Sequence, residues 1–259
     1  MSQLPREVSS ALESGRRSSR RLRSRGRDAV QLALPLPTGW GGRRAGAGRP
    51  PAKGRRRVPH RSRLAHRPEH PVHVTLRSAC RSLRTQFVFP TVRGAISAAN
   101  RAEPERFRVV QFSVQGDHIH LIVEASDRSA LIEGVRGLSI RIARRVNQLL
   151  SRKGRFFADR WHGRALSSPR AVRNALVYVL ANFRKHQPNQ AARIDVYSSA
   201  PYFRDFVEFS STAPIHAAPR LLPRALAPPT ESVVACPETW LLSTGWKRHG
   251  KLSVTEKPA

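Results

Sequence analysis

Two histidines separated by one residue are the first feature of the sequence that could do chemistry. They lie in the stretch "QGDHIHLIVEA", as His118 and His120, at the start of an apolar run. Side chains two positions apart on a β-strand point to the same face, so this spacing can aim two imidazoles at one metal ion. The same spacing also occurs where histidines simply line the surface of a sheet. The pair by itself leaves both interpretations open.

A second group of polar side chains lies in "SSPRAVRNALVYVLANFRKHQP". Asn174, Tyr178 and Asn182 follow one another at steps of four and therefore share one face of a helix. They run beside an apolar stripe made of Val172, Ala175, Leu176, Val179, Leu180 and Phe183. One interpretation of Tyr178 is a boundary aromatic with its hydroxyl in water. The other is a phenol nucleophile one turn from an amide oxygen, on a helix that can lie across the sheet carrying the histidines.

The region before the histidines predicts a strand, a helix and a β-hairpin. In "HPVHVTLRSA", Val72, Val74 and Leu76 alternate with polar residues, the two-residue period of a half-buried strand. "PTVRGAISAANRA" predicts a helix with Pro90 in its first turn. Two strand-like runs follow in "RFRVVQFSVQGDHIHLIVEA", and residues 115–117 predict the turn that joins them.

Three further elements complete the predicted domain. Residues 129–150 carry apolar side chains at steps of three and four, which predicts a helix with one buried stripe. "RFFADRWHGRALSS" predicts a fourth strand. Ser168 as N-cap and Pro169 as first residue open the last helix, and Pro188 stops it.

The order of these elements predicts a ferredoxin-like fold of the α+β class. Strand, helix, strand, strand, helix, strand is the βαββαβ arrangement of a split βαβ domain, and the helix that carries Tyr178 is an additional one after it. On the strand of the histidines, Ile119, Leu121 and Val123 share the opposite face. We expect this apolar face to pack on helices and the histidine face to lie open on the sheet.

The whole sequence is strongly basic. It has 47 Lys and Arg residues against 17 Asp and Glu residues, a formal net charge of +30. Such an excess is typical of proteins that bind a polyanion, most often nucleic acid. Residues 1–67 carry 18 of the basic residues and 3 of the acids, which leaves 29 and 14 for the rest of the chain. We therefore expect the folded part to bind nucleic acid as well as the tail.

Composition divides the chain into three parts. Residues 1–69 are rich in Gly, Pro, Ser and Arg and poor in apolar side chains, which predicts a flexible, basic, nucleic-acid-binding arm. Residues 70–188 hold the predicted domain. Residues 189–259 are Pro-rich and poorly periodic, which predicts an extension that is only partly ordered.

Several other classes of protein are disfavoured. The two cysteines, Cys80 and Cys236, fit neither a zinc-binding pair nor a disulfide framework. No apolar run approaches the length of a membrane span, and the N-terminal region lacks the core of a signal peptide. We expect a cytoplasmic protein that associates with the nucleoid.

Four motifs of the predicted domain resemble those of a known family. "HPVHVTLR", "DHIHLIVEA", "FFADRWHGRAL" and "YVLANFRKH" are similar to motifs of the single-tyrosine HUH transposases, particularly the REP-associated tyrosine transposases. The resemblance extends over residues 70–186. It implies a ferredoxin-like domain in which His118, His120 and Asn182 bind a divalent ion, Mg²⁺ or Mn²⁺, and in which Tyr178 is the nucleophile. Relatives often have Asn where this chain has Asp117.

The activity that the resemblance implies is a metal-dependent cleavage and joining of single-stranded or hairpin DNA. The bound ion would polarise a phosphate and neutralise developing charge. Attack by Tyr178 would form a 5′-phosphotyrosine link and release a 3′-hydroxyl, and a second 3′-hydroxyl could reverse the step. The active form is a monomer or a homodimer.

Basic and aromatic side chains of the domain are candidates for holding the DNA strand, the arginines on phosphates and a tryptophan on a base. The candidates are Arg77, Arg141, Arg144, Arg145, Arg160, Trp161 and Arg164. Three alternatives remain: a DNA-binding protein that keeps the fold but does not cut, a replication initiator or relaxase with the same metal motif, and a zinc hydrolase. The last would need an acidic base, and only Asp117 and Glu124 lie near the histidines.

Overall fold

The computed structural model describes residues 65–80, 83–186, 194–209 and 233–258. Almost all of the predicted basic arm therefore lies outside the described residues. The strands are β1 (Val72–Arg77), β2 (Phe107–Val114), β3 (His118–Ala125) and β4 (His162–Ala165), and the helices are α1 (Phe89–Ala102), α2 (Arg128–Leu149), α3 (Pro169–Ala181), α4 (Phe183–His186) and α5 (Trp240–Ser243).

The four strands form one antiparallel sheet in the order β2-β3-β1-β4. Strand β1 lies in the middle, so that Thr75 is opposite His120 on β3 and opposite His162 on β4. Together with the chain order β1-α1-β2-β3-α2-β4, this is the ferredoxin-like βαββαβ arrangement. The predicted α+β fold with an additional helix after β4 is confirmed.

One face of the sheet is covered by α1 and α2. The predicted apolar residues Val74 and Leu121 are fully buried on this face, in one cluster with residues of both helices. Helix α2 begins after Asp127, whose side chain accepts a hydrogen bond from the backbone N–H of Ala130 at 2.9 Å. The two helices and the apolar side of the strands make up the main core.

The opposite face of the sheet is covered in part by α3. Ser168 caps this helix by accepting from the N–H of Ala171 at 3.2 Å, and Pro169 is its first residue, as predicted. Its apolar stripe buries Val110 of β2 and Ile122 of β3. The expectation that the histidine face lies open is therefore wrong in part, because the apolar side of α3 needs this surface for its own burial.

Helix α3 ends at Ala181, earlier than the predicted stop at Pro188. Asn182 keeps helical dihedral angles (φ −60°, ψ −30°), and the short helix α4 follows at once. The chain therefore continues in the same sense past the end of α3.

The described parts of the C-terminal region pack on α3. Aromatic and aliphatic side chains of this region lie in the same buried cluster as the helix, among them Phe203, Phe206, Leu241, Leu242 and Trp246. The indole N–H of Trp246 donates to the carbonyl of Leu242 at 3.0 Å. These segments therefore help to fix the position of α3.

Within the described ranges, none of the helices has both the length and the apolar composition that crossing a bilayer requires.

Candidate active site

The turn between β2 and β3 sets the position of the two histidines. Strand β2 ends at Val114, the N–H of Gln115 donates to the carbonyl of His118 at 2.8 Å, and β3 begins at His118. The imidazole rings of His118 and His120 then lie on the same face of β3 with their centroids 4.7 Å apart. His120 is only 4% exposed, whereas His118 is half-buried.

Helix α3 brings Tyr178 onto this histidine pair. The ring of Tyr178 lies 5.0 Å from the ring of His120, centroid to centroid, and the two planes are nearly perpendicular at 84°. The position of the helix is fixed by the packing of its apolar stripe on Ile122 and Val110. Three of the four residues predicted to do the chemistry thus form one cluster.

A third histidine belongs to this cluster, and the sequence analysis assigned it no role. Nε2 of His73 on β1 lies 3.2 Å from Nδ1 of His120. The His73 ring also meets the ring of Tyr178 edge-on, with centroids 5.7 Å apart. The sequence places His73 on the polar side of β1, but only the pairing of β1 with β3 shows that its ring contacts His120.

Burial keeps His73 neutral. Its removal from water is the largest cause that lowers its pKa to about 4, and the positive charges of the nearby His162 and Arg164 act in the same direction. A neutral imidazole has one N–H donor and one nitrogen acceptor. At neutral pH, His73 can therefore either accept a hydrogen bond from His120 or donate one to it.

The ring nitrogens of the histidine pair have defined neighbours on one side. Nδ1 of His118 lies 2.7 Å from Oδ1 of Asp117, and because a carboxylate only accepts, this nitrogen is the donor. Nδ1 of His120 lies 3.2 Å from His73 and 3.2 Å from the hydroxyl of Thr75. Nε2 is therefore the nitrogen that would coordinate a metal ion in each case.

Asn182, the predicted third ligand, lies one turn after Tyr178 and is 1% exposed. Its Nδ2 is buried and has no hydrogen-bond partner among the described residues. Within the same residues, no hydrogen bond joins Asn182 to either histidine. A buried amide with an unsatisfied atom costs free energy, but the atom that would coordinate a metal ion is the side-chain oxygen and not this nitrogen.

The side chains near the histidine pair decide whether this site can bind a metal ion. No group of three His, Cys, Asp or Glu side chains in the described part of the chain is arranged to hold a metal ion. Two imidazoles and the amide oxygen of Asn182 would provide three neutral ligands of a kind that Mn²⁺ accepts, and Mg²⁺ less readily. The residues present thus fit a divalent ion only if Asn182 contributes to its binding.

Two of the predicted DNA-binding arginines lie on the face of the sheet that carries the cluster. Arg77 is opposite His118 in the β1–β3 register, and Arg164 is opposite His73 in the β1–β4 register. The guanidinium of Arg77 lies 3.8 Å from the carboxylate of Asp117, with both side chains partly exposed. Since β4 is the edge strand and is mostly exposed, this half of the face is accessible beside α3.

The other predicted arginines and the tryptophan are not brought to the cluster. Arg141, Arg144 and Arg145 lie on α2, which covers the opposite face of the sheet from Tyr178. Arg160 is exposed in the segment before β4. Trp161 is half-buried and packs against the main core, directly over the backbone of β4.

The chain was compared with protein families, curated proteins and solved structures. No protein-family model and no curated protein matches the sequence. A solved structure described as a REP-associated tyrosine transposase bound to a REP hairpin is similar over 50% of this chain and 74% of its own, with 17% sequence identity and a TM-score of 0.40. The candidate active site is defined by the contacts of this chain's own residues.

Proposed function

We propose that this chain is a metal-dependent endonuclease and strand-transferase of the transposase type, which acts on single-stranded or hairpin DNA through a covalent tyrosine intermediate. The observation that carries the proposal is the contact of Tyr178 with His120, at 5.0 Å between ring centroids, on a helix that crosses the histidine face. A tyrosine whose ring packs on one histidine of such a pair is suitably placed for nucleophilic attack at a phosphate held beside the pair.

The charge of the chain supports DNA as the substrate. A formal net charge of +30 favours a polyanion, and Arg77 and Arg164 flank the histidine face on β1 and β4. Arginine side chains along an accessible sheet face can hold the phosphates of a strand whose scissile bond lies at Tyr178. The arginines of α2 would not take part at this site, because the sheet separates them from Tyr178.

His118, His120 and Asn182 are the residues that would hold the divalent ion. When bound, such an ion supplies positive charge at the scissile phosphate, where negative charge develops during attack. Asp117 orients His118 through the 2.7 Å contact with its Nδ1. The packing of α3 on the sheet would keep Tyr178 within reach of the same phosphate.

The proposed reaction exchanges one phosphodiester for another. The phenolic oxygen of Tyr178 forms a bond to phosphorus while the bond from phosphorus to the 3′-oxygen breaks. The phenol loses its proton, and the departing 3′-oxygen gains one and becomes a 3′-hydroxyl. The number of phosphodiester bonds is unchanged, so a second 3′-hydroxyl can attack the phosphotyrosine and join two strands without a nucleotide cofactor.

A covalent-adduct assay tests the proposal. The protein is incubated with labelled single-stranded DNA hairpins and Mg²⁺ or Mn²⁺, and a band of protein-linked DNA that survives denaturation is expected. Tyr178→Phe should abolish this band. Tyr197→Phe is the matched control, since its ring packs on Phe89 at 5.1 Å, a contact that phenylalanine retains, and it should form the adduct at the wild-type level.

The outcomes separate the enzyme from its main alternative. A protein that binds hairpins but forms no adduct over a broad set of hairpins and both metals would be a DNA-binding protein without cleavage activity. An adduct that persists in Tyr178→Phe would remove the tyrosine from its proposed role.

A further inference from the structure

We propose that His73 is a positioning residue for His120, holding its ring in the tautomer that presents Nε2 as a metal ligand. The proposal rests on the function proposed above for the same site. It concerns a residue that neither the motif around the histidine pair nor the spacing of Tyr178 and Asn182 singles out.

The register of the sheet explains why these two histidines meet. Thr75 lies directly opposite His120, and His73 lies two residues earlier on β1, on the same face and diagonal to His120. Diagonal neighbours in antiparallel strands are within reach of ring-sized side chains. The His73 ring spans this gap, with its centroid 5.2 Å from that of His120 and its Nε2 3.2 Å from Nδ1.

The direction of this hydrogen bond decides what His120 can do. If Nδ1 of His120 carries the proton and donates to Nε2 of His73, then Nε2 of His120 has the lone pair that a metal ion needs. If the proton lies on Nε2 of His120 instead, the ring cannot bind an ion through that atom. The first arrangement requires the His73 tautomer with its proton on Nδ1, because only then is Nε2 of His73 a bare nitrogen that accepts across the 3.2 Å contact.

Thr75 alone does not make this choice. Its hydroxyl also lies 3.2 Å from Nδ1 of His120, but a hydroxyl can donate to a bare nitrogen as readily as it accepts from an N–H. Threonine is thus compatible with both tautomers. A single imidazole nitrogen cannot both donate and accept, so the Nδ1–H tautomer of His73 that we propose would fix the proton of His120 on its Nδ1.

His73 also contacts the nucleophile. Its ring meets the ring of Tyr178 edge-on at 5.7 Å, so one side chain touches both a proposed metal ligand and the proposed attacking residue. A histidine that only filled a gap in the core would need neither a nitrogen aimed at His120 nor an edge aimed at Tyr178. This double contact points to a role in fixing the relative position of the two rings.

Two substitutions separate positioning from packing. His73→Met retains much of the volume and removes the acceptor nitrogen. His73→Gln retains a side-chain oxygen that can accept from Nδ1 of His120. Thr75→Val is the matched control on the same strand, because it removes the hydroxyl but keeps the shape. Thermal unfolding identifies variants that fold as the wild type does.

Two readouts then apply, and neither is activity. The first is the tautomer of His120 in the metal-free full-length protein, read from the ¹⁵N chemical shifts of its ring. We expect the Nδ1–H form in the wild type and in His73→Gln, and a shift toward the Nε2–H form in His73→Met. The second is Mn²⁺ affinity by titration calorimetry. We expect it to fall about 10- to 100-fold in His73→Met, to recover largely in His73→Gln and to change little in Thr75→Val.

An Nε2–H tautomer of His120 in the wild type overturns the proposal, as does a folded His73→Met variant with unchanged tautomer and Mn²⁺ affinity. Should both His73 variants lose affinity equally, a packing role replaces the positioning role. A wild-type protein that binds no Mn²⁺ contradicts the proposed function instead, and the tautomer measurement still decides the role of His73.

Discussion

A glycine pair on α2 provides a sharp test of how closely this helix packs on the sheet. A Cβ atom added at Gly134 would lie 2.1 Å from Cγ of Phe107 and 2.4 and 2.6 Å from the two Cδ atoms of that ring. Carbon atoms in contact lie about 3.5–4.0 Å apart, so the added atom is too close by more than about 1 Å. Since Phe107 is 5% exposed and begins β2, its ring cannot move into solvent.

The expected loss of stability follows from two opposing terms. Overpacking of a core costs about 1–3 kcal/mol, and overlap with three ring atoms places Gly134→Ala near the upper end. Replacing a helical glycine by alanine returns about 1 kcal/mol through backbone entropy. We therefore expect the free energy of unfolding to fall by about 2 kcal/mol in Gly134→Ala.

Gly137→Ala is the matched control, because it is the same substitution three residues later on the same helix. A Cβ atom at Gly137 would meet nothing within 4 Å among its neighbours, so only the favourable term remains. We expect Gly137→Ala to stabilise the protein by up to about 1 kcal/mol. The two variants should therefore differ by about 3 kcal/mol in urea unfolding followed by far-UV circular dichroism.

A double-mutant cycle identifies the cause. Phe107→Ala alone should cost about 3–5 kcal/mol, but in its background the methyl group at position 134 has room. The double variant should then be less destabilised than the sum of the single variants by more than about 1 kcal/mol. A Gly134→Ala protein as stable as the wild type would refute the close approach of α2 to the first residue of β2.

Three further outcomes are expected from the contacts around α3 and the histidine pair. Ser168→Ala should cost about 1 kcal/mol of stability through loss of the α3 cap, whereas Ser167→Ala should cost nothing measurable in the same urea titration. Asp117→Asn should keep Mn²⁺ affinity within a few-fold, because its oxygen can still accept from the neighbouring histidine, and Asp117→Ala should lower it about 10- to 100-fold in calorimetry. Trp246→Ala should lower the free energy of unfolding by about 3–5 kcal/mol, since Trp246 is 1% exposed. Trp240→Ala is the control and should lower it clearly less, because its side chain is 49% exposed. Equal losses would contradict the packing of the C-terminal region on α3.

Much of the fold could be predicted because its signals are local. Alternation of apolar and polar residues in β1, the turn before His118 and the Ser168-Pro169 start of α3 each depend on neighbours in sequence. The order of the elements then restricts the topology to a familiar arrangement. The meeting of Tyr178 with His120 joins distant segments, and it was expected from the resemblance of their motifs to those of a known family and not from a local pattern.

What could not be predicted depends on contacts between distant segments. The meeting of His73 with His120 follows from the β1–β3 register, which the sequence of either strand does not determine alone. The separation of Arg144 from the site follows from which face of the sheet α2 covers. The C-terminal segments carry apolar residues without a regular period. The stretch "TWLLSTGWKRHGK" indicated a small docked element, but its sequence does not specify that Trp246 packs in one cluster with α3.

Mapping the residue to which DNA becomes covalently attached is the direct test of Tyr178 as the nucleophile. After reaction with hairpin DNA and exhaustive nuclease digestion, trypsin cuts after Arg173 and Arg184 and releases the peptide 174–184, in which Tyr178 is the one tyrosine. The other two tyrosines fall together in the peptide 194–204. We expect a nucleotide adduct in mass spectra of the first peptide, localised to Tyr178. An adduct on the second peptide, or DNA cleavage with no adduct on either, would contradict this role of Tyr178.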